Sequence, residues 1–251
     1  MIETSLDGRV AIVTGGGTGI GKATALAFAG SGALLALASR NPSHLNTAKA
    51  EIEALGGTAA VFPMDVGDPD QCVKLVQDVV DHFGRLDILV NNAVGFGGGG
   101  PVMDVNPADW DAATTTNVRG PLILCQQSIP HMRKQKIAHI VNIISVAARK
   151  HYVNSGVYVA TKMALRAMTI VLSKELRKEQ NIRIHAVNPG GIDTEPMRRS
   201  AGSSRPDLAV VKLVPPEEMA DVILFLVSRT GVGVMDEVTM RRVSADYWCY
   251  D

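Results

Sequence analysis

RVAIVTGGGTGIGKATALAFAGSG, residues 9–32, sets an unbroken apolar run against a glycine turn and then a helical pattern. Residues 9–15 hold too many adjacent apolar side chains for a strand wetted on one face, so they predict a strand buried on both. The stretch that follows reads as a helix closed by Gly30 and Gly32. At the junction, Gly15 allows a sharp turn, Gly19 lets backbone approach a pyrophosphate, and Gly21 permits close packing of helix on sheet. The helix N-terminus adds the positive end of its dipole. A structural turn is the plain alternative. The strand–turn–helix setting favours a dinucleotide site.

The same alternation continues outward. Strands are predicted at 33–39, 58–66, 87–93, 139–145 and 182–189, with a last apolar segment at 232–240. Helical patterns fill 44–57, 68–84, 107–135, 156–179 and 216–229, with Asp68 or Asp70 able to cap the second of these. Continuous Val/Ile/Leu strands separated by helices predict an α/β fold, a parallel sheet covered on both faces. Right-handed crossovers make it doubly wound, with ligands at the carboxyl ends of the strands. No linker, repeat or composition shift divides residues 1–251, so one domain is expected.

Composition narrows the function. Hydrophobic residues make up 46% and charged residues 20%, and 25 basic residues balance 25 acidic ones. This removes the electrostatic driver for nucleic-acid or membrane-surface binding. Cys72, Cys125 and Cys249 are few and widely spaced, which suggests reduced thiols, and the histidines show no metal-ligand spacing. The apolar runs near Ala33–Ala38 and Val222–Val227 are too short to span a bilayer, and the N-terminal residues carry no secretory pattern. A cytoplasmic protein is expected.

An acid on the ribose 2′-OH is usual about 20 residues past such a glycine turn. Here the second strand ends Ser39-Arg40-Asn41, and the nearest acid, Glu51, lies inside the next helix. Arg40 can pair with a 2′-phosphate, so NADP(H) is favoured over NAD(H). Tyr158 and Lys162 stand four apart on a predicted helix and therefore share a face. A fixed ammonium favours phenolate and lowers the tyrosine pKa, readying it for proton exchange with an alcohol or carbonyl oxygen. Ser145 ends the fifth strand and can reach the same crevice.

In combination, TGGGTGIG (14–21), NNA (91–93), Asn117, Ser145, YVATK (158–162) and NPGGIDT (188–194) resemble the short-chain dehydrogenase/reductase family across nearly the whole chain. The resemblance implies a seven-stranded Rossmann fold and a tetrad. In it Tyr158 is the acid/base, Ser145 bonds the reacting oxygen, Lys162 holds the nicotinamide ribose, and Asn117 anchors a water in the proton relay. It places Asp65 on the adenine, Asn91 near the adenosine ribose, and Ile192 and Thr194 beside the carboxamide. The wider cofactor set is Gly15, Gly17, Thr18, Gly19, Ile20, Gly21, Ser39, Arg40, Asn41, Val66, Asn92, Ala93, Pro189 and Gly190, with Tyr158 and Lys162. The implied substrate is a small carbonyl compound or alcohol, and the implied assembly a homotetramer or homodimer, built through the helix carrying Tyr158 and the one after it.

Departures from the family pattern mark the substrate side. Val94 stands where the family usually has glycine, and NNAVGFGGGG (91–100) then runs on into four glycines, expected to form a flexible rim. That shifted pattern also resembles the enoyl- and dienoyl-CoA reductases of the superfamily, which reduce C=C, whereas Ser145 and Tyr158 keep carbonyl-reductase spacing. A non-catalytic NADP-binding sensor is expected to lack Tyr158 or Lys162. Arg149, Lys150, His151, Arg198, Arg199 and Arg205 could hold an anionic substrate or simply face solvent. From about 241 to 251 the chain lacks the usual glycine-rich ending and concentrates Trp248, Cys249 and Tyr250.

Overall fold

The computed structural model describes residues 4–195, 197–198 and 213–243. Seven parallel strands form one sheet in the order β3-β2-β1-β4-β5-β6-β7: β1 Val10–Thr14, β2 Leu34–Ser39, β3 Thr58–Pro63, β4 Ile88–Asn91, β5 Ala138–Ile143, β6 Ile182–Pro189 and β7 Glu237–Met240. The order reverses at β1, whose neighbours are β2 and β4, and this opens a crevice beyond the carboxyl ends of β1 and β4.

Helices cover both faces: α1 Gly19–Gly30, α2 Pro42–Ala54, α3 Pro69–Phe83, α4 Pro107–Thr114, α5 Gly120–Met132, α6 Gly156–Glu175 and α7 Pro216–Ser228. Successive strand residues point to opposite faces, and the core divides accordingly. Ala11, Val13, Leu35 and Leu37 pack with Phe28, Ile52 and Ile223 of α1, α2 and α7. Val10, Ile12, Ala36 and Ala38 pack with Leu75, Val79 and Leu124 of α3 and α5. Cys72 and Cys125 are free, buried thiols, and burial pushes them up to about 11 and about 12 respectively; Cys249 lies outside the described residues.

Two expectations need correction. The helix predicted over 107–135 is broken by a π-helical turn at Thr115–Arg119, where Gly120 presses against Val66 and Pro121 has no N–H to continue an α-helical ladder. The last strand is shorter than its apolar segment, because Val232, Val234 and Met235 are exposed ahead of it. Residues 156–178 are also long and apolar enough to cross a membrane by length and composition. They pack instead along β5 and β6.

Candidate active site

The glycine turn sits at the crevice, between β1 and α1. Gly15 has φ +65°, and a Cβ there would lie 2.7 Å from Asn92 Nδ2 and 3.3 Å from Ala93 Cα. No other residue type fits that close approach in that conformation. Thr14 fastens the two loops together: its hydroxyl accepts from Asn92 N (2.9 Å) and Ala93 N (3.0 Å), while Asn92 Nδ2 donates to Thr14 O (2.9 Å). From the far side the loop after β6 closes in, with Thr194 Cγ2 only 3.1 Å from where a Gly19 Cβ would stand. Ile192 is held there by a bridge to Val214, and Gly190 N donates to Met240 O.

Helix capping bears on the anion site. Asn41, Asp68 and Asn106 each cap their helices, α2, α3 and α4, through the side chain. Thr18, at the start of α1, makes no side-chain cap bond. Its turn and the Gly17–Ile20–Gly21 backbone therefore present helix N–H groups toward the crevice, a fit for a pyrophosphate. At the end of β2, Arg40 is exposed and no carboxylate among the described residues is bonded to it. Glu51, the nearest acid in sequence, is paired with Lys22 at 2.6 Å.

Several expected cofactor contacts are built differently. The Asn41 side chain accepts from Ser43 N (2.9 Å) and is spent on its helix. Asn91 is buried and donates to Asn142 Oδ1 at 2.8 Å, and Asn142 in turn donates to Thr169 Oγ1. Its side chain thus enters a polar seam between β4 and β5 rather than the crevice. The Val66 side chain belongs to the apolar core. Asp65 stands at the crevice beyond β3, with one carboxylate oxygen accepting from Gly67 N at 2.8 Å. Ser39 and Pro189 end β2 and β6 at the same edge.

Tyr158 and Lys162 lie one turn apart near the start of α6, and Ser145 follows β5. Ser145 Oγ accepts from Ala147 N at 3.1 Å, which leaves its O–H to turn toward the Tyr158 hydroxyl, whose charged form it favours. Lys162 is buried, donates to Ile143 O at 2.8 Å, and sits 5.8 Å from the centre of the Tyr158 ring. Burial pushes the Tyr158 phenol above its ordinary value, the Ser145 hydroxyl drawing it partly back. Burial also holds the Lys162 ammonium down to about 8. The expected lowering of the tyrosine by the lysine does not prevail here: burial is the largest influence on the phenol, and the opposing pull comes from Ser145.

Asn117 lies fully buried in the π turn. Its Nδ2 donates to Gly95 O (2.6 Å) and Thr161 Oγ1 (3.0 Å), and its Oδ1 accepts from Gly95 N (2.8 Å). Both side-chain donors are therefore used within the protein. The Asn117 main-chain carbonyl has no α-helical donor in sequence, because Pro121 N carries no hydrogen.

The glycine run is clamped rather than loose. Gly95 is held by Asn117, and Gly100 N donates to Asn154 O at 3.0 Å. Gly97 has φ +69°, and a Cβ there would lie 2.5 Å from Val157 Cγ1 and 2.8 Å from Ala113 Cβ. Between these anchors Phe96 stacks on Tyr158, ring centres 5.5 Å apart and planes 26° from parallel. Sequence reasoning missed Thr14, Thr161 and Phe96. Only Phe96, an aromatic amid glycines beside NNA, carried a local signal.

The expected anion-binding arginines are engaged. Arg149 pairs with Glu237 at 2.7 Å, and Glu237 also receives both arms of a bidentate bond from Arg166 and one from Asn188. The Arg166 guanidinium holds the Glu237 carboxyl down to about 2, with Arg149 and Asn188 adding to it. Arg198 pairs with Asp193 at 2.6 Å. Arg199 and Arg205 lie outside the described residues, as do Trp248 and Tyr250.

The sequence model of a family described as short chain dehydrogenase matches residues 9–205. The chain belongs to that family. As a short-chain dehydrogenase it is 37% identical over 240 residues to a 3-oxoacyl-[acyl-carrier-protein] reductase of Thermotoga maritima, covering 93% of this chain and 96% of the relative. Among solved structures, a metagenomic short-chain oxidoreductase in complex with NADP superposes with a TM-score of 0.82 at 31% identity, covering 94% of this chain and 98% of the other. A 7α-hydroxysteroid dehydrogenase complexed with NADH and 7-oxo glycochenodeoxycholic acid superposes with a TM-score of 0.86 at 30% identity, covering 95% of each chain. This short-chain dehydrogenase is thus an oxidoreductase on a parallel Rossmann sheet, and its relatives include proteins solved with either nicotinamide cofactor.

Proposed function

We propose that the chain is an NADP(H)-dependent oxidoreductase that interconverts a ketone and a secondary alcohol, with Tyr158 as the acid/base. The observation that carries this reading is the buried Lys162 one helical turn from Tyr158, 5.8 Å from its ring centre, with the Ser145 hydroxyl acting on the same phenol. The nicotinamide, when bound, supplies or accepts the hydride. The substrate oxygen is held between the Ser145 and Tyr158 hydroxyls. In reduction the phenol gives its proton to the oxygen as charge develops there, and Ser145 donates a second hydrogen bond to the same atom. Lys162 fixes a positive charge beside the ring and reaches the cofactor ribose, and the Asn117 carbonyl holds the water that returns the proton.

Arg40 supports NADP(H): it stands exposed beyond β2, with no carboxylate in place to repel a 2′-phosphate. Carbonyl rather than C=C reduction is supported by Ser145 lying within reach of Tyr158, and by the 3-oxoacyl reductase among the relatives. Oligomerisation through α6 is supported by Trp110, Met163 and Val171, exposed apolar side chains on α4 and α6. The test is a panel of ketones, alcohols and a crotonyl thioester assayed with both cofactors in both directions. Ketone turnover with NADPH is expected. Turnover of the thioester alone overturns the reading, and cofactor binding with no turnover at all revives the sensor.

A further inference from the structure

Phe96 is held on both sides yet left open on one. Asn117 fixes Gly95 through two hydrogen bonds, and Gly97 is wedged against Val157 and Ala113, so the residue between them has little freedom. One ring face lies on Tyr158, while the side chain remains 49% exposed. An aromatic ring fixed in water beside an acid/base group is unfavourable unless something apolar covers it in use. Val94, two residues earlier, and Tyr152, whose chain segment is tied to the glycine run through Asn154, add exposed apolar surface to the same rim.

Charge on this rim points the same way. Arg149 and Arg198 each face a carboxylate already in hydrogen-bonded contact, Glu237 and Asp193. An anionic substrate held by Arg149 or Arg198 must displace one of these partners, one of them shared with Arg166, whereas an uncharged apolar group need only displace water.

We propose that Phe96 is a specificity-determining residue, the wall against which an aromatic or similarly flat apolar group of an uncharged ketone lies while its carbonyl meets Tyr158. This rests on the reading of Tyr158 as acid/base. The wall fixes the plane of the substrate relative to the phenol, because offset stacking favours roughly parallel rings. The glycines that follow allow the loop to lie close on α4 and α6 and so hold that plane.

The test compares acetophenone, butanone and levulinate as oxidants of NADPH, in wild type, Phe96→Ala and Phe96→Tyr. Wild type is expected to prefer acetophenone. Phe96→Ala is expected to lower kcat/KM for acetophenone by about tenfold or more, chiefly through KM, and for butanone by less than about threefold, with Phe96→Tyr restoring the ratio. Equal losses on all three ketones, no loss, or a preference for levulinate overturns the proposal. A second arm measures acetophenone binding by calorimetry to NADP+-saturated Tyr158→Phe protein, with and without Phe96→Ala. Binding that depends on Phe96 upholds the wall even where turnover shows the acid/base reading to be wrong. Binding that ignores Phe96, or is absent from both proteins, overturns the wall by itself.

Discussion

The side-chain amide of Asn117 grips both polar atoms of the Gly95 backbone, accepting from its N–H at 2.8 Å and donating to its carbonyl at 2.6 Å. An asparagine expected to serve a water thus also splints the loop that carries Phe96. Asn117→Ala leaves the half-buried Gly95 groups without those partners, so a stability loss of about 1 kcal/mol is expected. Chemical denaturation measures it. A variant as stable as wild type shows that the splint is dispensable.

Tyr158→Phe keeps the ring that Phe96 stacks on and removes only the hydroxyl. Turnover is expected to fall by about 10³-fold, with NADPH affinity nearly unchanged. Steady-state rates and a cofactor fluorescence titration read the two separately, and retained turnover removes Tyr158 from the mechanism.

Lys162 makes opposite predictions for activity and stability. Its folded pKa, about 8, lies below the ordinary value of 10.5, so the unfolded chain binds the proton more tightly. The burdened ammonium costs stability at and below neutral pH, and the cost disappears as pH rises from about 8 through 10.5. It amounts to at most about 3 kcal/mol. Lys162→Met is expected to abolish turnover while leaving Tm at pH 7 equal or higher. A large fall in Tm refutes this account of the burial.

Glu237 carries the reverse sign. Its carboxyl is held down to about 2, below the ordinary 4.5. The contribution is full above pH 4.5 and is lost as pH falls toward 2. Glu237→Gln is expected to lower Tm at pH 7, by an amount corresponding to about 1 kcal/mol after solvent screening. The gap from wild type should close in acid; a gap constant with pH shows that the charge is not its source.

Arg40→Asp places a carboxylate where a 2′-phosphate is expected. KM for NADPH should rise by about 10²-fold or more, and KM for NADH far less. Equal effects on both cofactors remove Arg40 from the site.

The strands and the glycine turn were legible because each is written in consecutive residues: an apolar run, then a turn that tolerates no side chain. The spacing of Tyr158 and Lys162 was legible for the same reason, since one helical turn is local. What stayed hidden depends on pairings across the sheet. Arg149 meets Glu237 only because β7 is laid beside β6. Asn91 turns inward because the register sets it opposite Asn142. The capping role of Asn41 was in fact written locally, in an asparagine followed by Pro42, but the cofactor reading of the same position displaced it. The π turn could be suspected from Gly120-Pro121 alone. Its consequence for the Asn117 carbonyl needed the coordinates.

The meeting of Gly19 and Thr194 bears on how the chain matures. The first comes from the opening turn of the fold and the second from the loop after the sixth strand, so a ribosome releases most of the polypeptide before the two can touch. Pairings of such long range form late and slowly. On the proposed reading, in which Gly19 and Thr194 both lie beside the cofactor, its binding energy is withheld from nascent and partly folded chains and reaches only the nearly completed sheet, where it adds to stability by mass action. A cell poor in the dinucleotide would hold this protein in a form more exposed to proteolysis, and abundance would follow cofactor supply.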